Sequence, residues 1–295
     1  MIEVQNVTKS FDGVPALNGL TLTVPQGAVY GLVGPNGAGK STIIRHLTGI
    51  YRPDSGVVRV DGLPVYENRA VKSRIAYIPD ELYCPGSTTV RDMMQFWRGI
   101  YPRFDDKRFE ALRDVFQLSE KQPFRRFSKG MQKQAMFWLA ICIKPDYLIL
   151  DEPVDGLDPV MRRQIWSLIL EDVTSCGTTV LVSSHNLREL EDVCDHVGVM
   201  HHGAMLLERS LEELQDNIVK VQLVTENPLP EGLNVLHSSM TGRIQTLIIR
   251  GRQHEIADLL AQCHPMLCDL LPLSLEEVFI YELGGVHYDI KNIVL

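Results

Sequence analysis

A glycine-rich segment, Gly34-Pro35-Asn36-Gly37-Ala38-Gly39-Lys40-Ser41, fits the pattern GxxxxGK followed by Ser or Thr. Its glycines let backbone N–H groups close around phosphate oxygens, and a helix N-terminus after the loop adds positive potential. Lys40 can reach the β- and γ-phosphates, and the Ser41 hydroxyl can hold Mg²⁺. We therefore predict a nucleoside triphosphate site here, and we include the next residue, Thr42, among its contacts.

Two adjacent carboxylates, Asp151 and Glu152, follow the apolar run at residues 148–150. The carboxyl end of a buried parallel strand faces the crevice in which open α/β sheets bind ligands. Adjacent residues project in different directions there, so Asp151 can serve the metal while Glu152 polarises the attacking water. Alone, such a pair is more often the start of a solvated loop; beside a phosphate loop it predicts hydrolysis.

Apolar periodicity places these motifs on an α/β framework. Residues 2–24 alternate apolar and polar around a turn at Asp12-Gly13, which predicts antiparallel strands. Short continuous apolar runs, typical of strands buried in a parallel sheet, occur at residues 28–33, 75–78, 147–150 and 179–183. The first of them leads through the glycine-rich segment into a helical stretch, as phosphate binding requires.

Two further regions differ from this framework in residue spacing or composition. Residues of about 85–144 have helical spacing and predict an all-helical insertion. After residue 214 the composition shifts to a short α+β pattern that carries no residue pattern suited to chemistry. We expect a nucleotide-binding domain of residues 1–214 and a small accessory domain of residues 215–295.

The order of the motifs over about residues 1–214 resembles the ATP-binding subunit of an ABC transporter. The resemblance assigns Phe11 to stacking on adenine, although an aromatic residue after a strand is otherwise just as often core. It makes Phe127-Ser128-Lys129-Gly130-Met131 the signature motif and Asp155-Gly156-Leu157-Asp158 the loop that crosses a dimer interface. It also makes His185 the switch histidine that contacts the γ-phosphate.

The resemblance implies a fold and partners. The fold is an α/β P-loop NTPase of ABC type, with a mainly parallel sheet core, an antiparallel β subdomain, a helical insertion and a small C-terminal α+β domain. ATP and Mg²⁺ are the implied ligands, and Ser128 and Gly130 would contact the nucleotide bound by the other subunit, giving two composite sites in a dimer. That dimer, a homodimer or a heterodimer with a related subunit, would drive a separate membrane-spanning permease.

Two positions depart from the family pattern. The usual signature is Leu-Ser-Gly-Gly-Gln, whereas this chain has Phe127, Lys129 and Met131 at three of those places. Asp80 stands where the family commonly has a Gln that touches Mg²⁺ and the attacking water, so we count it as a catalytic and metal candidate. Both departures resemble a bacterial exporter-type subgroup that includes Ytr-like subunits, as does the segment at residues 272–279.

The net charge and the length of the apolar runs argue against two classes of protein, nucleic-acid binders and membrane-spanning chains. The net charge of −8 argues against a nucleic-acid binder, since phosphate-backbone binding usually requires clustered Lys and Arg. The longest apolar run, residues 136–143, is too short to cross a bilayer, so we expect a cytoplasmic chain held at the inner face of the cell membrane by its permease.

Two other functions compete with a transporter motor. ABC proteins that act on ribosomes normally join two nucleotide domains, whereas this chain has one phosphate loop. A regulator that binds ATP without useful hydrolysis is suggested by Asp80 and the altered signature, and opposed by Glu152 and His185.

Overall fold

The protein is described by a computed structural model over residues 1–83, 85–216, 218–271 and 273–283. Pro272, part of the subgroup resemblance, lies outside these residues. The chain divides into two units: Met1–His185 with Val193–Glu208, and Asn186–Asp192 with the chain from Arg209 onward. The division assigns the segment after His185 to the second unit.

An antiparallel sheet opens the first unit, with strand order β2-β1-β4-β5. Its strands are β1 (Ile2–Phe11), β2 (Val14–Val24), β4 (Ser55–Val60) and β5 (Leu63–Pro64). Asp12 and Gly13 have φ values of 49° and 80°, so their left-handed backbone closes the hairpin between the first two strands. The predicted antiparallel strands and their turn are present.

A six-stranded sheet forms the centre of the first unit, in the order β10-β9-β3-β8-β7-β6. Its strands are β3 (Val29–Val33), β6 (Ile75–Ile78), β7 (Tyr147–Asp151), β8 (Thr179–Ser184), β9 (His196–His201) and β10 (Ala204–Ser210). The pairs β6–β7, β7–β8, β3–β8 and β3–β9 are parallel. β3, β7 and β8 are buried along their whole length, which explains why their central residues are apolar.

Helices fill the connections between these strands. They are α1 (Lys40–Leu47), α2 (Arg69–Lys72), α3 (Val90–Ile100), α4 (Asp106–Ala111), α5 (Arg113–Phe116), α6 (Lys129–Cys142) and α7 (Pro159–Cys176). Helices α3 to α6 make up the predicted helical insertion, and the Trp138 ring stacks on Phe109 at 4.4 Å between centroids. This aromatic packing fixes α6, which begins at the signature motif.

The second unit contains a four-stranded antiparallel sheet, in the order β12-β13-β11-β14. Its elements are α8 (Leu211–Asp216), β11 (Ile218–Val224), β12 (Asn234–Thr241), β13 (Ile244–Arg250), α9 (Gln253–Ala261), β14 (Leu267–Leu271) and α10 (Leu275–Leu283). Leu275 N in α10 donates to Glu191 Oε1 at 2.9 Å, and Arg188 Nη2 donates to Glu276 Oε2 at 2.8 Å. These contacts join the segment after His185 to α10.

Across residues 1–83, 85–216, 218–271 and 273–283, none of the helices combines the length and apolarity that a bilayer crossing requires.

Candidate active site

The phosphate loop connects β3 to α1 and is shaped by its main chain. Gly37 and Gly39 have φ values of 82° and 103°, which residues with a side chain rarely adopt. A Cβ on Gly34 would lie 2.4 Å from the backbone oxygen of Met200 on β9. Because side chains are excluded at these points, the backbone can close around a phosphate group, as the sequence predicts.

Lys40 is held inside this loop at the start of α1. Its side chain is only 6% exposed, and Nζ donates to the Gly34 carbonyl at 2.6 Å. Nζ also lies 3.2 Å from Glu152 Oε1, although 112 positions of sequence separate the two residues. The ammonium group therefore joins the phosphate loop to the carboxylate at the end of β7.

Asp151 ends β7 and accepts two hydroxyl hydrogen bonds on one oxygen. Ser183 Oγ donates to Asp151 Oδ1 at 2.7 Å, and Ser41 Oγ donates to the same atom at 3.2 Å. Burial raises the pKa of the Asp151 carboxyl, and the charges of Glu152 and Asp80 add to this, against the lowering effect of the two serine hydrogen bonds. The Asp151 carboxylate is thus held in place although burial and nearby negative charges disfavour its ionised form. A bound cation would offset this unfavourable energy.

Glu152 lies at the centre of the cluster. Its φ of 46° is in the left-handed region, a strained backbone of the kind found at functional sites. Its carboxylate contacts Lys40 through Oε1 and His185 through Oε2, which lies 2.9 Å from His185 Nδ1. Ligand atoms of Glu152, His185 and Asp155 lie within 4.8 Å of one another.

Lys133, on α6, connects two of the loops at this edge of the sheet. Its Nζ donates to the Glu152 backbone oxygen at 2.7 Å and lies 3.4 Å from Asp80 Oδ1. Lys133 was not among the site residues predicted from the sequence. The available signal was a lysine five positions after Ser128, in the polar first part of α6 that precedes its apolar stretch.

The signature turn packs against the loop of residues 155–158. Ser128 is the N-cap of α6 and its Oγ accepts a hydrogen bond from Met131 N at 3.2 Å. A Cβ on Gly130 would lie 2.4 Å from the backbone oxygen of Gly156. Lys129, Asp80 and Lys133 line a common cavity of about 410 Å³.

Comparison with known proteins identifies the family. Residues 17–155 match the family model described as ABC transporter. The ABC transporter ATP-binding protein YtrB of Bacillus subtilis is 30% identical over 288 residues, which are 97% of this chain and 99% of that protein. The chain belongs to the ABC transporter family.

Two further likenesses agree with this assignment. The daunorubicin/doxorubicin resistance ATP-binding protein DrrA of Streptomyces peucetius is 35% identical over 74% of this chain and 67% of that protein. A solved structure of the ATP binding subunit of an ABC transporter is 26% identical, with a TM-score of 0.68 over 73% of this chain and 92% of that one. The predicted family, α/β P-loop fold, ATP binding and ATPase class are confirmed.

The remaining ABC motif residues lie at different places around the cluster. Asp158 caps α7, and its Oδ1 accepts hydrogen bonds from Val160 N at 3.1 Å and Met161 N at 3.0 Å. This gives Asp158 a role in the fold beside any role at an interface. Phe11 ends β1 with its side chain part-exposed, and its ring centroid lies 5.3 Å from that of Tyr51.

Other residues of the phosphate loop differ in exposure. Pro35 and Thr42 are half-buried, Asn36 is exposed and Ala38 is buried. The Thr42 carbonyl lies 2.7 Å from His46 Nδ1, a contact within α1. Thr42 thus follows the phosphate loop, and its carbonyl contact with His46 lies within α1, while its contact with a nucleotide stays a prediction.

The donors around Asp151 fit Mg²⁺. A serine hydroxyl and a buried carboxylate, Ser41 Oγ and Asp151 Oδ1, lie 3.2 Å apart and are hard oxygen ligands of the kind that Mg²⁺ prefers. Asp80, by contrast, contacts the Lys133 ammonium group.

Proposed function

We propose that this chain hydrolyses ATP with Glu152 as the water-activating base, and that as one half of a dimer it powers export through a membrane permease. The observation that carries the proposal is the Glu152 carboxylate, which contacts both Lys40 and His185 at the end of β7. Subunits of the ABC family generally dimerise and pair with membrane permeases.

The first step is an exchange of partners at Lys40. Phosphate oxygens of ATP compete with Glu152 for the Lys40 ammonium, because both are anionic acceptors within reach of the loop. The Glu152 carboxylate is then free to accept the proton of a water that attacks the γ-phosphorus, while the bond from that phosphorus to the β–γ bridging oxygen breaks and ADP leaves. His185, at the end of β8, remains beside that carboxylate and orients it.

Ser41 and Asp151 would hold Mg²⁺, which when bound neutralises charge on the phosphates. Phosphate contacts from the loop N–H groups, from Lys40 and from the helix N-terminus then align the nucleotide. Phe11 is the proposed adenine platform, since its part-exposed ring lies at the end of β1.

The dimer supplies the second half of each site. Ser128 is exposed at the N-terminus of α6, where its hydroxyl and the backbone N–H groups around Gly130 can meet a phosphate held by another subunit. Closure around two ATP molecules, followed by opening after hydrolysis, gives the permease two conformations. The partner subunit is a second copy or a related chain.

An exposed aromatic residue on α3 supports a membrane partner. Phe96 is 61% exposed, whereas Trp97 on the same helix is 8% exposed and packs 6.0 Å from the Tyr101 ring. Phe96 is therefore available to a short helix of the permease, as the family resemblance suggests. Such a contact would hold the subunit at the inner face of the cell membrane, which is the location we propose.

Export is the direction we propose, because the relatives include the resistance protein DrrA as well as YtrB. We also propose that residues 1–214 form the nucleotide-binding domain and that residues 215–295 form an accessory domain. Co-purification of the tagged chain from membranes tests both the permease and the attachment. Recovery of the chain without a membrane-spanning partner would contradict the permease, and absence of the chain from the membrane fraction would contradict the attachment.

The decisive variant is Glu152→Gln. It keeps the shape of the side chain but removes the base, so we expect ATPase activity to fall by at least about 100-fold while ATP still binds. Retained ATP should hold a dimer, which size-exclusion chromatography with light scattering detects.

Glu171→Gln is the matched control, since Glu171 is an exposed acid on α7. A Glu152→Gln protein with the parental rate would remove Glu152 from catalysis. A parent protein that binds ATP without any turnover would instead favour the binding-only regulator.

A further inference from the structure

Lys133 is a buried cation that takes no part in the steps proposed above for ATP hydrolysis. It is 5% exposed, and its position on α6 brings Nζ between the loop after β6 and the loop after β7. A buried ammonium group is unfavourable unless it is paired and hydrogen-bonded. Lys133 satisfies this condition with one backbone carbonyl, at Glu152, and one carboxylate, at Asp80.

The contact with Glu152 is to its main chain. The 2.7 Å hydrogen bond from Lys133 Nζ holds the carbonyl of a residue whose φ is 46°. Such a conformation persists when surrounding contacts fix it, and the orientation of this peptide sets where the Glu152 side chain points. Glu152 N adds a second anchor by donating to Ser183 Oγ at 3.0 Å.

The contact with Asp80 concerns charge. Asp80 brings a negative charge to an edge of the sheet that already contains Asp151 and Glu152, in a chain whose family commonly has a neutral amide there. The Lys133 ammonium, 3.4 Å from Asp80 Oδ1, supplies the opposite charge. Lys133 and Asp80 together thus present less net negative charge to the phosphates than Asp80 alone.

We propose that Lys133 is a positioning residue for ATP hydrolysis: it fixes the Glu152 backbone and compensates the charge of Asp80. This proposal rests on the role of Glu152 proposed above. Lys133 touches no reacting atom and acts through Glu152 and Asp80.

The test is a double-mutant cycle with Lys133→Gln, Asp80→Gln and the double variant. Lys133→Gln alone should lower kcat by at least about tenfold with a smaller change in KM for ATP, because it strands the Asp80 charge and loosens Glu152. In the double variant the stranded charge is absent, so its kcat should exceed the product of the two single effects by at least about threefold.

A second readout is independent of turnover. Thermal unfolding of the four proteins in EDTA without nucleotide should show the same non-additivity, since the contact exists within the chain alone. The matched control is Lys107→Gln, at an exposed lysine of α4, for which we expect parental kcat and melting temperature.

Each outcome decides the proposal. Additive effects in both cycles, or a Lys133→Gln protein that behaves like Lys107→Gln, would overturn it. A uniform loss of melting temperature with kcat unchanged would reduce Lys133 to a structural lysine. If the parent protein does not hydrolyse ATP, the proposed function fails. The thermal unfolding cycle still tests the contact between Lys133 and Asp80.

Discussion

The phosphate loop and the signature turn are both closed by a glycine against a backbone carbonyl, but the two carbonyls differ. A Cβ on Gly34 would meet Met200 O at 2.4 Å, and a Cβ on Gly130 would meet Gly156 O at the same distance. Met200 is buried on β9 of the central sheet, whereas Gly156 is exposed in a loop.

The difference separates a fixed part of the site from a movable one. The carbonyl on β9 belongs to a packed sheet that transmits any displacement to its neighbours. The carbonyl of Gly156 lies in an exposed loop, so we expect it to shift more easily, and the proposed opening and closing of a dimer would require such a shift. Similar local geometry therefore serves rigid phosphate binding in one place and adjustable contact in the other.

Gly34→Ala should have the largest effect. The added Cβ cannot be accommodated without displacing the sheet backbone, so we expect a loss of about 3 kcal/mol in the free energy of unfolding and a strong loss of ATP affinity. Urea unfolding and titration with a fluorescent ATP analogue measure the two quantities. Gly37→Ala is the stability control, because no atom lies within 4 Å of its Cβ position and only its positive φ of 82° is penalised. Equal destabilisation by both substitutions would contradict a steric limit at Gly34.

Gly130→Ala should cost less stability than Gly34→Ala, about 1 kcal/mol, because the Gly156 loop can move aside. That displacement should lower turnover while ATP affinity stays near the parental value, since the phosphate loop is untouched. The same unfolding and titration assays apply, with ATPase activity added. If Gly130→Ala destabilises as much as Gly34→Ala, the signature turn is as rigid as the phosphate loop and the comparison fails.

The fixed part of the site was predictable from sequence because it is contiguous. Gly34 to Lys40 form a strand–loop–helix connection whose glycine and lysine positions are set by local backbone geometry. The strand that leads to Asp151 and Glu152 was likewise visible as an apolar run. In a contiguous motif, the residues that the loop conformation requires lie next to one another in the sequence, where they can be recognised.

Contacts between distant segments of the site were less predictable. Lys133 reaches Asp80 over 53 positions of sequence and Glu152 over 19, and no local pattern encodes such a meeting. Strand β12 was not predicted for a different reason. β12 is largely exposed, so it lacks the apolar alternation that reveals a strand.

Asp151→Asn should stabilise the protein while it abolishes hydrolysis. Burial raises the pKa of Asp151, so the folded chain binds this proton more tightly than the unfolded chain, and stability is lost as pH rises above the unfolded pKa. Removing the charge should therefore raise the free energy of unfolding at pH 7 in EDTA, with less gain at pH 4.

Asp61→Asn should have the opposite effect on stability to Asp151→Asn. Burial alone would raise the pKa of Asp61, but hydrogen bonds from the N-terminal amine, Tyr147 and Arg74 lower it to about 2. Its charge therefore stabilises the fold above the unfolded pKa near 4, and this contribution is lost as pH falls toward 2. Asp61→Asn should destabilise the protein at pH 7, as urea unfolding will show. The same sign for both variants would contradict the distinction between a functional and a structural carboxylate.

Glu276→Gln should have the smallest effect. Glu276 accepts the hydrogen bond from Arg188, and both residues belong to the second unit, whose segment Asn186–Asp192 starts directly after His185. Because Arg188 is largely exposed, solvent screens the pair, and we expect turnover to change by less than about fivefold with ATP affinity unchanged. Steady-state ATPase assays with Glu255→Gln as the control, at an exposed acid of α9, resolve a change of this size. A loss of ATP affinity instead would mean that the segment after His185 supports the phosphate loop, and the fixed part of the site would then extend beyond the β3–α1 connection.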